Sequence, residues 1–325
     1  MLDRTGEGGA VDPWRALTHY AEFAALRLWS VVIGCFPIEL NLATARLMGR
    51  LWWRLRADHR ERALGNLRAA LGGTHTEPQL ERIAIRSFEH FAQVYLVELV
   101  QTAKLVNLRS WSRYVELDPL SDALRVLLDE RRGAILLTAH FGNFELLGYT
   151  LARLGLPLTA VMRPLDNALL NDYLIAARNP GGLTLLIKKG AANKADDVLR
   201  RRESLCFIAD QDAGRKGVFA EFFGRAASWY KSIGLLAMSH RVPIIVGAAT
   251  RTRVGFHYRI AVERIIHPHE WDGQPDPLLW ITRNYANSLE ALIRRHPEQY
   301  LWVHRRWKTR PRGGDAPTTA ARRRD

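Results

Sequence analysis

The stretch TAHFGNFE, residues 138–145, places a histidine after an apolar run and a carboxylate five positions later. On a continuous helix His140 and Glu145 would point about 140° apart, so they meet only if the chain turns between them. Gly142 and Asn143 permit such a turn, with Asn143 as the N-cap of a helix whose first turn holds Glu145. Glu145 would then accept a hydrogen bond from one ring nitrogen of His140 and leave the other nitrogen to take a proton. The spacing predicts a general base oriented by a carboxylate.

A structural interpretation of the same residues is also open. Glu145 could complement the helix dipole, and His140 could be a hydrogen-bonded histidine at a strand end. Two further apolar runs, however, end on a reactive residue type: LTAVM is followed by Arg163, and LCFIA by Asp210. The carboxyl ends of parallel strands gather at one edge of a sheet, where ligands bind. A base, a cation and a carboxylate at one edge favour a catalytic site.

A sheet must position these residues, and the sequence predicts one after about residue 120. Short apolar runs alternate there with amphipathic helical patterns. The predicted strands are GAILLTA, LPLTAVM, SLCFIA, VPIIVGAAT and HYRIAVERI. Buried strands separated by helices predict an α/β fold with a mostly parallel or mixed sheet flanked by helices. Residues 80–105 are predicted to be wholly helical and to pack onto this unit.

The N-terminal part of the chain has a different pattern. Residues 1–19 are predicted to be disordered, and residues 20–60 to form a membrane-associated helical hairpin broken near Pro37. Its uncharged run, Leu28–Ile38, is too short to span a bilayer, which needs about 20 residues. Two core helices that never touch lipid are the alternative. Tryptophans mixed with arginines suit the headgroup layer, and this segment contains Trp29, Trp52 and Trp53 beside Arg27, Arg46, Arg50, Arg54 and Arg56.

The rest of the chain divides into one domain and a tail. Residues 61–311 are predicted to form a single domain, since no linker or repeat interrupts them, and residues 312–325 a disordered basic tail. Cys35 and Cys206 are the only cysteines, which excludes a disulfide framework and a cysteine-based zinc site. A reducing compartment is the simpler interpretation.

The charge balance indicates a polyanionic partner. The chain has 47 Lys and Arg against 33 Asp and Glu, a formal net charge of +14, which suits nucleic acid, an anionic membrane surface or an acidic carrier. Residues 303–312 alternate arginine with tryptophan as single-stranded nucleic-acid binders do. Without a recognised nucleic-acid fold, a phosphate-bearing lipid or an acidic carrier protein explains this segment better. His267 and His269 flank a proline in a predicted surface loop, and no metal, cofactor or nucleic-acid partner is predicted.

Five motifs together resemble a known family. They are RALGNLRAAL (62–71), HFGNFE (140–145), VMRPLDN (161–167), ADQDAGRKGVFAEFFGRAAS (209–228) and QYLWVHRRWK (299–308). In this order they resemble the lysophospholipid acyltransferase superfamily, and within it the branch of the late lauroyl and myristoyl acyltransferases of lipid A biosynthesis. The resemblance covers roughly residues 20–310.

The resemblance implies acyl transfer from an acyl carrier protein or coenzyme A thioester to a hydroxyl of a lipid A precursor or related glycolipid. It places the protein at the cytoplasmic face of the inner membrane. His140 would be the base and Glu145 its partner. Arg163 would contact phosphate or developing negative charge, and Asp210 would position the acceptor or active-site partners. The residues similar to the family's acceptor-side loop are Phe222, Phe223 and Gly224.

The residues themselves favour direct transfer. The sequence contains no Gly-x-Ser-x-Gly elbow, and Cys206 lies in an apolar predicted strand, so a covalent acyl-enzyme is not expected. Backbone N–H groups around Gly142 and Asn143, or Arg163, are the expected donors to the thioester oxyanion. The third block lacks the Phe-Pro-Glu-Gly-Thr of glycerolipid acyltransferases, which disfavours a lysophosphatidate acceptor. A phosphatidylinositol mannoside acceptor, or a non-catalytic basic membrane-binding protein on the same fold, is the alternative.

Overall fold

A computed structural model of the chain describes residues 13–118, 121–128, 133–162, 165–178, 182–187 and 191–311. The predicted tail and residues 1–12 lie outside the described residues. Residues 13–19, which were expected to be disordered, belong to the first helix. Proline at the first helical position has a fixed φ that suits a helix start, which explains why the helix begins there.

The described residues contain a seven-stranded sheet and a separate two-stranded hairpin. The strands are β1 (Val115–Leu117), β2 (Ile135–Thr138), β3 (Leu158–Met162), β4 (Thr184–Ile187), β5 (Ser204–Ile208), β6 (Val218–Phe222), β7 (Arg225–Trp229), β8 (Ile244–Arg251) and β9 (Tyr258–Ile266). The sheet order is β1-β9-β8-β2-β5-β3-β4, and its neighbours run parallel except β8 and β9. The predicted α/β fold with a mostly parallel, mixed sheet is confirmed.

Helices cover both faces of this sheet and build the N-terminal part of the structure. They are α1 (Pro13–Gly34), α2 (Ile38–Leu55), α3 (Ala57–Leu71), α4 (Glu77–Gln93), α5 (Leu99–Leu105), α6 (Trp111–Tyr114), α7 (Ser121–Leu128), α8 (Phe144–Arg153), α9 (Ala168–Arg178), α10 (Ala191–Arg200), α11 (Lys231–His240), α12 (Pro268–Trp271) and α13 (Pro277–Arg295). A π-helical segment, Val94–Glu98, joins α4 to α5. A 3₁₀ turn, Pro297–Gln299, follows α13. The predicted helical character of residues 80–105 is confirmed.

Strand β2 contributes to two core layers because successive side chains of a strand point to opposite faces. Ile135 and Leu137 belong to the larger layer, which also contains buried residues of α11 and α13. Leu136 packs in the opposite layer with Leu151 of α8 and Cys206 of β5. Burial on both faces explains the continuous apolar run of β2.

The first two helices pack on different parts of the molecule. The ring of Phe23 in α1 contacts Tyr173 of α9 edge-on at 6.2 Å. Helix α2 packs against α4. The predicted break near Pro37 is confirmed, since Pro37 is the residue before α2.

Three tryptophans of this region, Trp29, Trp52 and Trp53, make contacts inside the protein, whereas Trp14 is exposed. Trp53 is buried, and the Trp52 ring packs 4.5 Å from that of Phe88. Trp29 Nε1 donates to the Leu96 carbonyl at 2.6 Å. These contacts fix the three side chains on the protein, and the membrane association of residues 20–60 stays a prediction.

Other large apolar side chains are exposed instead, and on α1 and α2 they include Trp14, Leu17, Tyr20, Leu28, Val31, Leu40, Leu47, Leu51 and Leu55. Among the described helices, none combines the length and apolar character needed to cross a bilayer.

Candidate active site

Two adjacent parallel strands bring His140 and Asp210 together. Thr138 of β2 lies opposite Ile208 of β5, and each site residue follows its strand by two positions. Asp210 Oδ1 lies 2.8 Å from His140 Nδ1 and accepts the backbone N–H of His140 at 3.0 Å. An ionised carboxylate can only accept, so Nδ1 carries the proton in this contact. Nε2 is therefore left with the lone pair that a base needs.

Asp210 is fully buried, yet its surroundings keep it ionised. Burial by itself raises the pKa of this carboxyl, but the charge and hydrogen bonds of His140 outweigh that effect and hold the pKa of Asp210 well below its usual value. A buried, ionised carboxylate at Nδ1 favours a positive charge on the imidazole when it takes a proton. The pair has the electrostatics of an oriented general base.

The turn between the histidine and α8 depends on Gly142 and Asn143, as predicted. Gly142 has a φ of +56°, and a Cβ there would lie 2.0 Å from the carbonyl oxygen of Ala249. Glycine alone fits this close approach. Asn143 Oδ1 accepts the N–H of Leu146 at 2.8 Å, and Glu145 lies in the first turn of α8. The predicted N-cap and helix start are confirmed.

A buried ion-pair network supports this turn. Glu98, at the end of the π-helical segment, is fully buried. One of its oxygens accepts Arg251 Nη2 at 2.6 Å, and the other accepts Tyr258 Oη at 2.6 Å and Asn143 Nδ2 at 2.7 Å. Each oxygen thus has a donor, which a buried charge requires. His90 of α4 contacts the same turn, with Nε2 3.0 Å from the carbonyl oxygen of the turn glycine.

The segment after α13 closes the site from another side. The N–H of Leu301 donates to the His140 carbonyl at 3.0 Å, and Phe141 forms an antiparallel bridge with Tyr300. The rings of His304 and His140 have centroids 4.5 Å apart. Burial, and next the charge on His140, lower the pKa of His304 to about 4. His304 therefore presents a neutral ring to His140 at neutral pH.

Arg306 places a buried cation in the same region. It is 1% exposed, donates to the Ser228 carbonyl at 2.7 Å, and has its guanidinium carbon 4.0 Å from the centre of the Trp229 ring. Burial lowers the pKa of Arg306, and the charge on Asp210 is among the groups that oppose this effect. The cation therefore interacts favourably with the carboxylate that holds His140.

An apolar cavity of about 130 Å³ lies between α8 and the sheet, beside these residues. Thr138 and Ile208 line it, as does Phe144, whose ring centroid is 5.1 Å from that of His140. Cys206 also lines the cavity, and burial raises the pKa of its thiol to about 12. The thiol is consequently protonated and a poor nucleophile. The remaining lining is mostly aliphatic, including Leu136, Leu147, Leu151, Ala160, Val161, Leu183 and Leu185.

The structure describes one of two further predicted site residues, Glu145, but not the other, Arg163. Glu145 lines the cavity, and the hydrogen bond at Nδ1 of His140 is made by Asp210. The orienting position expected for Glu145 is thus occupied by Asp210, because the strand register brings Asp210 there. A catalytic role for Glu145 stays a prediction. Arg163 lies outside the described residues, and its role stays a prediction as well.

The backbone N–H groups of Gly142 and Asn143, which were expected to donate to the oxyanion, already donate to backbone carbonyls of the protein. The N–H of Gly142 donates to the Gln299 carbonyl, and the N–H of Asn143 to the Ala249 carbonyl, both at 2.9 Å. These bonds fix the turn against neighbouring backbone. The expectation that the two groups bind substrate through their N–H is corrected on this ground.

The predicted acceptor-side loop, Phe222 to Gly224, is the tip of the hairpin formed by β6 and β7. Phe223 and Gly224 have φ values of +54° and +69°, which a two-residue type I′ turn requires. Phe222 and Phe223 are buried, and the N–H of Phe223 donates to the Glu290 carboxylate on α13. The two rings belong to the core because the hairpin packs against α13, and their contact with the acceptor stays a prediction. Gly224 is exposed.

Sequence reasoning missed Glu98, His304 and Arg306 as parts of the site. Glu98 is a lone carboxylate in the apolar run VYLVELV, and an isolated charge in such a run signals a buried ion pair. His304 and Arg306 lie in the closing motif, where the alternation of basic and aromatic residues was interpreted as an anion-binding surface. Their burial depends on tertiary contacts with the strand-end residues.

Comparison with known proteins identifies relatives over most of the chain. The family described as "Bacterial lipid A biosynthesis acyltransferase" matches residues 12–309. A lipid A biosynthesis palmitoleoyltransferase of Escherichia coli (strain K12) is 31% identical over 221 residues, 64% of this chain and 65% of that protein, so the match spans just under two thirds of its length. A lipid A biosynthesis lauroyltransferase of the same strain is 24% identical over 293 residues, 88% of this chain and 90% of that protein. A phosphatidylinositol mannoside acyltransferase of Mycolicibacterium smegmatis is 32% identical over 190 residues, 57% of this chain and 60% of that protein.

Proposed function

Because the chain belongs to the bacterial lipid A biosynthesis acyltransferase family, we propose that it moves a fatty acyl group from a thioester to a hydroxyl of a lipid A precursor. The observation that carries the chemistry is the 2.8 Å contact between His140 Nδ1 and the buried Asp210 carboxylate. An apolar cavity lies directly beside this pair. A base next to a space lined by aliphatic side chains suits a substrate that carries a hydrocarbon chain.

Each step of the transfer uses His140 for the proton. Nε2 takes the proton of the acceptor hydroxyl while the hydroxyl oxygen attacks the thioester carbonyl carbon. The tetrahedral intermediate then breaks its carbon–sulfur bond, and the departing thiolate takes the proton from the imidazolium. Such assistance typically contributes ~10²–10⁴-fold to the rate. The protonated Cys206 thiol favours this direct route over an acyl-enzyme.

Two further residues have supporting roles in this proposal. Glu145 is a second carboxylate of the site, since it lines the apolar cavity with Phe144, whose ring contacts that of His140. Arg163 follows β3, whose carboxyl end lies at the same sheet edge as those of β2 and β5. From there it would contact a phosphate or the developing negative charge.

The donor in this proposal is an acyl carrier protein or coenzyme A thioester, and the reaction takes place at the cytoplasmic face of the inner membrane. The net charge of +14 suits an acidic donor and an anionic membrane surface. Exposed apolar side chains on α1 and α2 would lie on the bilayer without crossing it. No cofactor takes part in the proposed steps.

A second acceptor is favoured by one observation, the 32% identity to a phosphatidylinositol mannoside acyltransferase over 190 residues. The same base and cavity would serve another glycolipid hydroxyl. The acceptor is therefore the part of the proposal that an experiment in cells resolves best.

Mass spectrometry of the host's lipids after deletion of the gene tests the proposal. We expect one acyl group to be missing from lipid A, and a plasmid copy of the wild-type gene to restore it. The His140→Ala variant should not restore it. The control variant Arg109→Gln should restore it, because Arg109 is exposed and lies outside the five motifs. A missing acyl group in phosphatidylinositol mannosides would favour the second acceptor. Unchanged lipids would contradict acyl transfer.

A further inference from the structure

A groove between α2 and α4 contains a concentration of cations outside the His140 site. We define this arginine groove by Arg50 and Arg54 of α2 and Arg82 and Arg86 of α4. Each pair is spaced by four residues, so both members lie on the same face of their helix. The groove has a volume of about 570 Å³, and its lining is completed by Trp53, Ile85 and Glu89.

Most of this positive charge has no carboxylate partner among the described residues. Glu89, 9% exposed, pairs with Arg50. In the part of the chain that the structure describes, no carboxylate pairs with Arg54, Arg82 or Arg86. Like charges spaced by four residues destabilise a helix. Three uncompensated guanidinium groups around one groove therefore favour the binding of an anion.

The chemistry of the groove favours phosphate as that anion. A guanidinium presents a planar fork of donors that matches phosphate oxygens, and several such forks can share one phosphate. The volume of about 570 Å³ is within the range of sites for small molecules, which is about 300–1,000 Å³. A phosphate with attached groups, such as a lipid headgroup, fits this space better than a lone inorganic ion.

The position of the groove on α2 indicates where the phosphate comes from. Leu47, Leu51 and Leu55 of α2 are exposed and follow one another at four-residue spacing, so they form an apolar stripe. Arg50 and Arg54 each directly precede a leucine of this stripe. If the stripe lies in the acyl region of a bilayer, these arginines reach the level of the phosphates. An acidic protein partner would leave the exposed stripe unexplained.

We propose that the arginine groove binds the phosphate headgroup of an anionic phospholipid in the bilayer. Helix α4 also runs from the groove to the active site. Arg86 precedes His90 by four residues, about 6 Å along the helix, and His90 contacts the carbonyl of Gly142. The proposal concerns docking and does not depend on which acceptor is acylated.

Vesicle cosedimentation of the purified full chain tests the proposal. Arg82→Gln with Arg86→Gln removes two groove cations from exposed positions. We expect affinity for vesicles of phosphatidylcholine with phosphatidylglycerol to fall roughly 30-fold, and affinity for phosphatidylcholine alone to change little. The matched control is Arg109→Gln with Arg253→Gln, which makes the same change in net charge at exposed positions outside the groove. The loss of vesicle affinity in this control variant should be several times smaller than in the groove variant.

A variant with the opposite effect strengthens the test. Glu89→Gln removes the partner of Arg50, so affinity for the acidic vesicles should rise, with circular dichroism confirming the fold. Equal losses in the groove and control variants would overturn the proposal, because they would reflect general charge only. Normal vesicle binding with a raised KM for the acceptor in neutral detergent micelles would assign the phosphate to the acceptor and overturn it. Normal vesicle binding with weakened binding of acyl carrier protein would also overturn the proposal, because it would assign the groove to an acidic protein.

Discussion

Replacing Asp210 with asparagine removes one buried charge and keeps the shape of the site. A single oxygen accepts both the backbone N–H and the Nδ1–H of His140, at 3.0 and 2.8 Å, so an amide oxygen can take its place. What is lost is the attraction between the carboxylate and the imidazolium that forms during transfer. At a charge separation of about 4 Å and an effective dielectric constant of about 20, this attraction is about 4 kcal/mol. The transfer step should therefore slow roughly a thousandfold.

The assay is single-turnover acyl transfer from a labelled thioester to extracted glycolipid by the purified variant, with circular dichroism to confirm folding. Asp212→Asn is the matched control, since Asp212 belongs to the same segment and its carboxylate accepts the Thr309 hydroxyl at 2.7 Å. This control should keep a near-normal rate. A folded Asp210→Asn protein within about tenfold of the wild-type rate would refute the assigned electrostatic role.

Three further substitutions test the surroundings of the site. Gly142→Ala should lower the melting temperature and the rate of transfer, because the added Cβ would lie 2.0 Å from the Ala249 carbonyl oxygen; an unchanged melting temperature would contradict this packing. Glu98→Gln leaves Arg251 buried without its counter-charge and should cost about 3–5 kcal/mol in urea unfolding, and a cost like that of a surface pair would count against the network. The pKa of His304 is about 4 in the folded state against 6.5 as its ordinary value, so the unfolded state binds this proton first as the pH falls. Stability should therefore decrease from pH 6.5 to 4, by up to about 3 kcal/mol from this residue. His304→Gln should make that decrease shallower in urea titrations across the window, and a wild-type slope would contradict a buried neutral His304.

The sequence located the reactive residues because the rules that place them are local or follow from the sheet type. His140 and Asp210 were found as the residues after apolar strands, and the in-register pairing of β2 with β5 brings them to one edge. Asn143 was found as an N-cap because its position before an amphipathic helix is a local signal. The α/β fold followed from the alternation of strands and helices.

Contacts that depend on lateral strand order could not be predicted in the same way. β5 lies beside β2 although β3 and β4 come between them in the chain, so no local pattern indicates that Asp210 contacts Nδ1 of His140. The hairpin at Phe223 and Gly224 lacks the Asn-Gly or Asp-Gly pair that usually marks a type I′ turn.

The two N-terminal helices show another limit of sequence patterns. An amphipathic pattern identifies an apolar face without indicating whether protein or lipid covers it. Trp53 is buried in the protein, whereas Leu51 and Leu55, on the same helix, are exposed. The pattern could not show that Trp53 packs inside the protein, because aromatic residues pack well in either place.

The most direct test of the central claim is to incubate purified wild-type protein and the His140→Ala variant with an acyl thioester and a lipid A precursor, and to measure the product by mass spectrometry. The account predicts that the wild-type protein adds one acyl ester to the precursor. It predicts that the folded His140→Ala variant adds none above background, because no other group takes the hydroxyl proton. Acylated product at a near-normal rate from folded His140→Ala would contradict the claim that His140, held by Asp210, is the base.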